Sequence, residues 1–254
     1  LSLHDALPIF ISIIIISIFV RRQLTISNPL LNLNVFKGRI FCFSTITSMI
    51  IMLSMVGPAL LIPLYVQNAL GLSALLSGLV IMPGAIINGI MSVFTGRFYD
   101  KYGPRPLIYA GFSLLTICTL LLCFLKADTS YIYLIVIYAI RMFAVSLLMM
   151  PINTTGINAL DNKDISHGTA IMNFGRVMAG SLGTALMVTF MSIGSKWIGP
   201  SSSAHASKEL LQRQSVAAGV DVSFALVTGF VVVAFLFALF IKEPNRKSQN
   251  MREV

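Results

Sequence analysis

Six long apolar runs constrain the fold of this chain more than any other feature. They cover residues 41–66, 73–95, 107–125, 131–150, 170–193 and 222–241. A helix needs roughly 20 mainly apolar residues to cross a hydrocarbon core about 30 Å thick, and every run is about that long. Because only helices and closed barrels satisfy their backbone in lipid, the runs predict an all-α integral membrane protein with a six-span bundle over residues 41–241.

Composition supports a membrane location. Hydrophobic residues make up 56% of the chain and the mean hydropathy is +0.87, whereas soluble domains are typically about 45–50% apolar. The net charge of +9 would suit a nucleic-acid partner, but the 18 Lys and Arg residues are dispersed in short segments between the apolar runs. We therefore expect a lipid bilayer as the surroundings and no nucleic-acid partner.

The basic residues also predict an orientation, because short cytoplasmic loops are enriched in Lys and Arg. If the segment before residue 41 is cytoplasmic, twelve basic residues lie inside: Arg21, Arg22, Lys37, Arg39, Arg97, Lys101, Arg105, Lys163, Lys242, Arg246, Lys247 and Arg252. The opposite loops carry four, Lys126, Lys196, Lys208 and Arg213. Both ends of the 21–254 region are thus predicted to be cytoplasmic.

The segments flanking the bundle are assigned by the same reasoning. Residues 10–20 are apolar but too short to span, so we interpret them as the end of a preceding span in a longer protein. Residues 21–40 are then a cytoplasmic connector, and residues 242–254 a cytoplasmic tail. Residues 1–9 resemble the translation of a sequencing adapter, and we interpret them as an artefact; the alternative is a natural loop leading into the membrane.

A charged segment, GRFYDKYGPRP at 96–106, separates the second and third runs. Gly96 and Gly103 permit tight backbone geometry, and the prolines at 104 and 106 suit the first turn of the next helix. Asp100 can lie near that helix N-terminus, where an anion is favoured, and can pair with Arg97 or Lys101. We expect the chain to reverse direction here.

The spacing of Gly96, Asp100, Lys101, Gly103 and Arg105 resembles the cytoplasmic loop signature of the major facilitator superfamily, GxxxD(R/K)xGxR, and departs from it at position 104, where a basic residue is common. Three further blocks, 21–41, 149–160 and 167–192, resemble segments near the ninth, twelfth and thirteenth spans of fourteen-spanner drug:proton antiporters of the EmrB/QacA type. The resemblance covers nearly the whole chain after residue 10.

This resemblance implies the C-terminal six-helix bundle of a multidrug efflux permease in a bacterial cytoplasmic membrane. The expected partners are the missing N-terminal bundle, protons and an amphiphilic drug, with transport by alternating access. The loop residues Gly96, Arg97, Asp100, Lys101, Gly103 and Arg105 would form a conformational latch between the bundles. Alternatives are a permease of the same superfamily for another solute, and a non-transporting membrane subunit or remnant.

Four polar residues within the runs are candidates for a cavity or substrate path: Asn88, Arg141, Asn173 and Arg176. Arg141 lies about 15 Å deep at 1.5 Å per residue, where a cation needs a watery cavity or a partner. Both readings remain open, a cavity-lining group or a hydrogen bonder to helix carbonyls. Arg176 is close enough to its boundary to reach the surface, and Asn88 could instead bond a neighbouring helix.

Small residues and prolines predict how the helices pack. Gly175, Ala179 and Gly183 recur at every fourth position, so they share one helix face and allow close approach of another backbone. Pro58, Pro63 and Pro83 interrupt helices, and the backbone groups they release need protein or water partners.

The residues of this chain give little support for proton coupling or for catalysis. The predicted spans hold no carboxylate, and Asp221 is expected at the outer edge of the last one, so the proton-coupling acid is assigned to the missing half. Asp161, Asp164 and His167 could supply metal ligands, but capping and solvation explain them equally well. The chain has no phosphate-binding or hydrolase motif, and we expect no enzyme activity, cofactor or metal site.

Overall fold

The computed structural model describes residues 3–26, 29, 31–126, 128–198 and 208–239. Helices form all the regular structure of this part, and no strand occurs in it. The α-helices are α1 (Leu3–Thr25), α2 (Arg39–Asn68), α3 (Ala74–Tyr102), α4 (Pro104–Leu121), α5 (Tyr131–Asn158), α6 (Ile165–Ile198) and α7 (Lys208–Leu239), with short 3-10 helices at Leu33–Lys37 and Asn162–Asp164. The predicted all-α fold is confirmed, while the tail at 242–254 lies outside the described residues.

Six of these helices, α2 to α7, are long and apolar enough to cross a membrane, with mean hydropathy from 1.3 to 2.6 over their most apolar windows. Short junctions join most of them, so successive helices run in opposite directions through the bundle. The predicted six spans are therefore confirmed.

Most of the helices extend beyond the apolar runs that predicted them. The third helix, α3, continues to Tyr102, α5 continues to Asn158, and α7 begins at Lys208. Likewise α1 covers 23 residues, not 10–20 alone, and takes in the first part of the proposed connector. The cause is that bilayer thickness limits the apolar stretch, whereas helical hydrogen bonds continue through polar residues wherever no breaker intervenes.

The centre of the bundle is α2, which contacts α3, α5, α6 and α7. On α2, Ile51, Leu61, Ile62 and Tyr65 are at most 1% exposed, and they join one core with residues of α4, α5 and α7. At one end of the bundle the Tyr65 hydroxyl donates a 2.5 Å hydrogen bond to the Lys126 carbonyl. This end therefore holds the α2–α3 and α4–α5 junctions together.

Glycines allow α6 to approach α2 closely. A Cβ atom built on Gly183 would lie 2.8 Å from the Leu53 carbonyl oxygen, and one on Gly175 would lie 3.1 Å from the Met49 sulfur. The carbonyl of Gly183 in turn faces Gly57 of α2. Ala179, between the two α6 glycines, is 4% exposed. Gly175 and Gly183 therefore lie against α2, and Ala179 between them is buried.

We expect Gly183→Ala to lower the thermal unfolding midpoint of the purified protein by several degrees, because the added methyl group meets backbone atoms that cannot move aside. The matched control is Gly229→Ala on α7, where a Cβ meets nothing within 4 Å and alanine favours the helix. Equal midpoints for the two variants would contradict a close α2–α6 contact.

Candidate functional site

The charged segment at 96–106 is mostly helix rather than a turn. Residues 96–102 form the last two turns of α3, and α4 begins at Pro104, so Gly103 alone connects the two helices. Gly103 has φ 79° and ψ 176°, a conformation that is essentially restricted to glycine, and its amide bonds the Tyr99 carbonyl at 2.8 Å. The expectation of special backbone geometry at Gly96 is wrong, because that residue is an ordinary part of the helix.

Four charged side chains of this segment are exposed at one end of the bundle: Arg97, Asp100, Lys101 and Arg105. Aromatic rings of α3 hold two of the cations. The Arg97 guanidinium lies 5.6 Å from the Phe94 ring centre, and the Lys101 ammonium lies 5.1 Å from the Tyr102 ring centre. The junction therefore presents fixed positive charge beside an accessible carboxylate.

A cavity of about 310 Å³ lies between α2, α3 and α5. Its lining is mostly apolar: Met55, Val56 and Ala59 from α2, Ile81, Ala85 and Asn88 from α3, and Tyr138 and Met142 from α5. The Asn88 amide donates to the Met142 carbonyl at 3.1 Å while it borders the cavity. Asn88 thus combines the two roles that the sequence left open.

Arg141 is completely buried and does not belong to the lining of this cavity. Its Nη2 donates to the carbonyl oxygen of Ser54 on α2. The side chains of Tyr138 and Cys118 lie near enough to interact with its charge. Of the two readings open from the sequence, this geometry corresponds to a hydrogen bonder to a helix carbonyl.

Asn173 and Arg176 lie away from Asn88, on α6, a helix that contributes nothing to the lining of this cavity. The Arg176 guanidinium donates to the Asn173 side-chain oxygen on the same helix, and Asn173 is exposed. The four candidate path residues thus fall into three places: the cavity wall, the bundle core and an outward face of α6.

Asp221 lies inside α7, because this helix begins at Lys208 and not near residue 222. The helix is therefore longer than the predicted span and includes this carboxylate. Residues 221–239 nevertheless cover about 27 Å at 1.5 Å per residue, nearly the thickness of a hydrocarbon core. Asp221 Oδ1 accepts a 2.9 Å hydrogen bond from the Leu125 amide in the α4–α5 junction. This contact lies at the end of the bundle opposite Gly103.

The loop before α6 has a structural contact that the sequence did not reveal. The Asn32 amide of the connector donates to Asp164 Oδ1 at 2.8 Å, and Asp161 occupies the N-cap position of the 3-10 helix Asn162–Asp164. Asp164 thus attaches the connector to the α5–α6 junction.

Six membrane-length helices in one bundle, with an apolar cavity between three of them and a basic helix junction at one end, define a polytopic α-helical membrane protein. A family model described as Major Facilitator Superfamily matches residues 6–184. The chain belongs to the major facilitator superfamily of membrane transporters.

Several relatives have names that describe drug resistance or drug export. The lincomycin resistance protein LmrB of Listeria innocua is 36% identical over 241 residues, which cover 93% of this chain and 51% of the relative. LmrB of Bacillus subtilis is 34% identical over 234 residues, 92% of this chain and 49% of the relative. The multidrug export protein EmrB of Escherichia coli K12 is 26% identical over 197 residues, 77% of this chain and 37% of the relative. The chain spans about half the length of the LmrB proteins it matches.

Substituting Gly103 tests the single-residue junction. We expect Gly103→Ala to destabilise the protein by about 1–3 kcal/mol, because a side chain is strained at this backbone conformation. Gly96→Ala, seven residues earlier in the same motif, is the control: its Cβ would meet Met150 at an ordinary 3.6 Å. Denaturation of both purified variants gives the comparison, and a Gly103→Ala variant as stable as Gly96→Ala would refute the assignment.

Proposed function

We propose that this chain forms one six-helix half of a proton-coupled exporter of amphiphilic drugs, with lincosamide antibiotics among its substrates. The family match supports the transport class, and the names of the relatives, which describe lincomycin resistance and multidrug export, support drug export. This chain covers about half the length of the LmrB relatives, which supports a second bundle as its main partner.

The observation that carries this proposal is the cavity between α2, α3 and α5. The lining is apolar except for one amide and one phenol, so it suits a hydrophobic solute with few polar groups. Pockets for drug-sized ligands usually have such a lining. A site near the middle of the membrane between two bundles is the usual arrangement of secondary transporters. The cavity would then form this half's share of the drug site.

The orientation follows from the charges at the two ends. The end that holds Gly103 also holds the exposed cations of residues 97–105 and the connector, so we assign it to the cytoplasm of a bacterial cell. In this orientation, Gly96, Arg97, Asp100, Lys101, Gly103 and Arg105 would face the partner bundle and act as the latch of alternating access. Coupling protons would use a carboxylate of the partner bundle, because Asp221 lies close to the opposite membrane surface.

Filling the cavity tests the drug site. We expect Ala85→Phe to raise the KM for lincomycin or ethidium export several-fold, since the ring would occupy space that the drug needs. Ala110→Phe on an exposed face of α4 makes the same change away from the cavity. Drug accumulation in cells, normalised to membrane expression of the full-length protein, is the measurement. Unimpaired export by Ala85→Phe, or equal loss in both variants, would argue against this cavity.

The latch is tested at Asp100. We expect Asp100→Asn to reduce the maximal export rate by tenfold or more while expression stays normal, because one conformation loses a charge contact of about 1.4 kcal/mol or more. Asp161→Asn removes an exposed carboxylate from the same end of the bundle and should transport normally. Wild-type export of every tested drug by Asp100→Asn would overturn the latch assignment.

A further inference from the structure

The central helix of the bundle contains a backbone carbonyl that cannot be satisfied in the usual helical way. Pro58 lies inside α2 and is buried. In an α-helix each amide bonds the carbonyl four residues earlier, so the missing N–H of proline leaves the carbonyl of Ser54 without its partner. Such a group is costly inside an apolar bundle, where water cannot replace the bond.

The structure supplies the missing donor from another helix. Arg141 on α5, 87 residues after Ser54, directs its Nη2 to the carbonyl of Ser54. The arginine is 0% exposed, and its Nε and Nη1 find no acceptor among the described residues. A cation held this deeply by one carbonyl suggests that this single contact is the reason for its presence.

This contact lies beside the cavity. Residues 55, 56 and 59, which form the α2 wall of the cavity, lie within two helical turns of α2 together with Ser54 and Pro58. On α5, Tyr138 and Met142 flank Arg141 in sequence and form the opposite wall. The guanidinium thus joins the two walls immediately behind the space they enclose.

We propose that Arg141 is a positioning residue that replaces the amide absent at Pro58 and holds the α2 wall of the cavity against α5. The contact fixes Met55 and Val56 relative to Tyr138 without touching the solute. For transport this inference rests on the proposed function, whereas the pairing of Arg141 with the carbonyl released by Pro58 can be tested without transport.

A double-mutant cycle tests the pairing in the purified full-length protein. Arg141→Met removes the donor, and we expect it to lower the thermal unfolding midpoint by several degrees. Pro58→Ala restores a backbone amide for the Ser54 carbonyl. In that background Arg141 has lost its function and is only a buried charge, so Arg141→Met should leave the midpoint unchanged or raise it.

Pro63→Ala provides the matched control, because it restores an amide to another internal proline of the same helix whose released carbonyl belongs to Ala59. Arg141→Met should lower the thermal unfolding midpoint as much in the Pro63→Ala background as in the unmodified protein. If Arg141→Met does not accumulate as folded protein, adding Pro58→Ala should restore folding and adding Pro63→Ala should not. The pairing would be overturned if Arg141→Met lowered the unfolding midpoint equally in all three backgrounds. It would also be overturned if both proline substitutions reduced the effect of Arg141→Met equally.

Transport kinetics test the positioning role. We expect Arg141→Met to raise the KM for lincomycin or ethidium several-fold, with little change in maximal rate per folded molecule, and Arg141→Lys to recover part of the affinity because it retains a cationic donor. A loss of maximal rate without a change in KM would overturn positioning of the cavity wall. If no export is measurable even for the unmodified protein, the proposed function fails, while the stability cycle still decides the pairing.

Discussion

The hydrogen bond from Arg141 to the carbonyl of Ser54 is the interaction on which the centre of this bundle depends. In lipid every backbone polar group must find a partner within the protein, and α2 contains two internal prolines that each remove one donor. A polar or charged side chain from another helix can supply that donor. The requirement explains why a cation occurs in a bundle core that is otherwise almost entirely apolar or hydroxyl-bearing.

The two sides of α2 are packed in different ways, and the cavity follows from that difference. Toward α6, Gly57 and Gly183 bring the two helices so close that a Cβ atom at either position would clash with the other helix. Toward α3 and α5, Met55 of α2 and the small residue Ala85 of α3 border a space of about 310 Å³. Close backbone contact on one face therefore supports an open volume on the other.

The sequence predicted the number of membrane helices well, because apolar run length and bilayer thickness are directly related. It placed helix ends less well, since α3 continues to Tyr102 and α7 begins at Lys208 through segments in which charged residues interrupt the apolar pattern. Residues 208–221 contain no proline and only one glycine, and that helix-compatible composition was the available signal that Asp221 lies in a helix. The contact of Arg141 with Ser54 could not be predicted, because the released carbonyl and its donor are 87 residues apart.

The same helix carries both the cavity wall and the charged junction. Asn88 borders the cavity, and Asp100 lies twelve residues further along α3, about 18 Å away along a continuous helix. Since Gly103 alone separates α3 from α4, a tilt or rotation of α3 at the cavity must displace the charged end and the start of α4 together. A solute in the cavity and a charge contact at the junction would therefore act on one rigid element, which is the mechanical requirement for coupling an occupied site to the closure of one end.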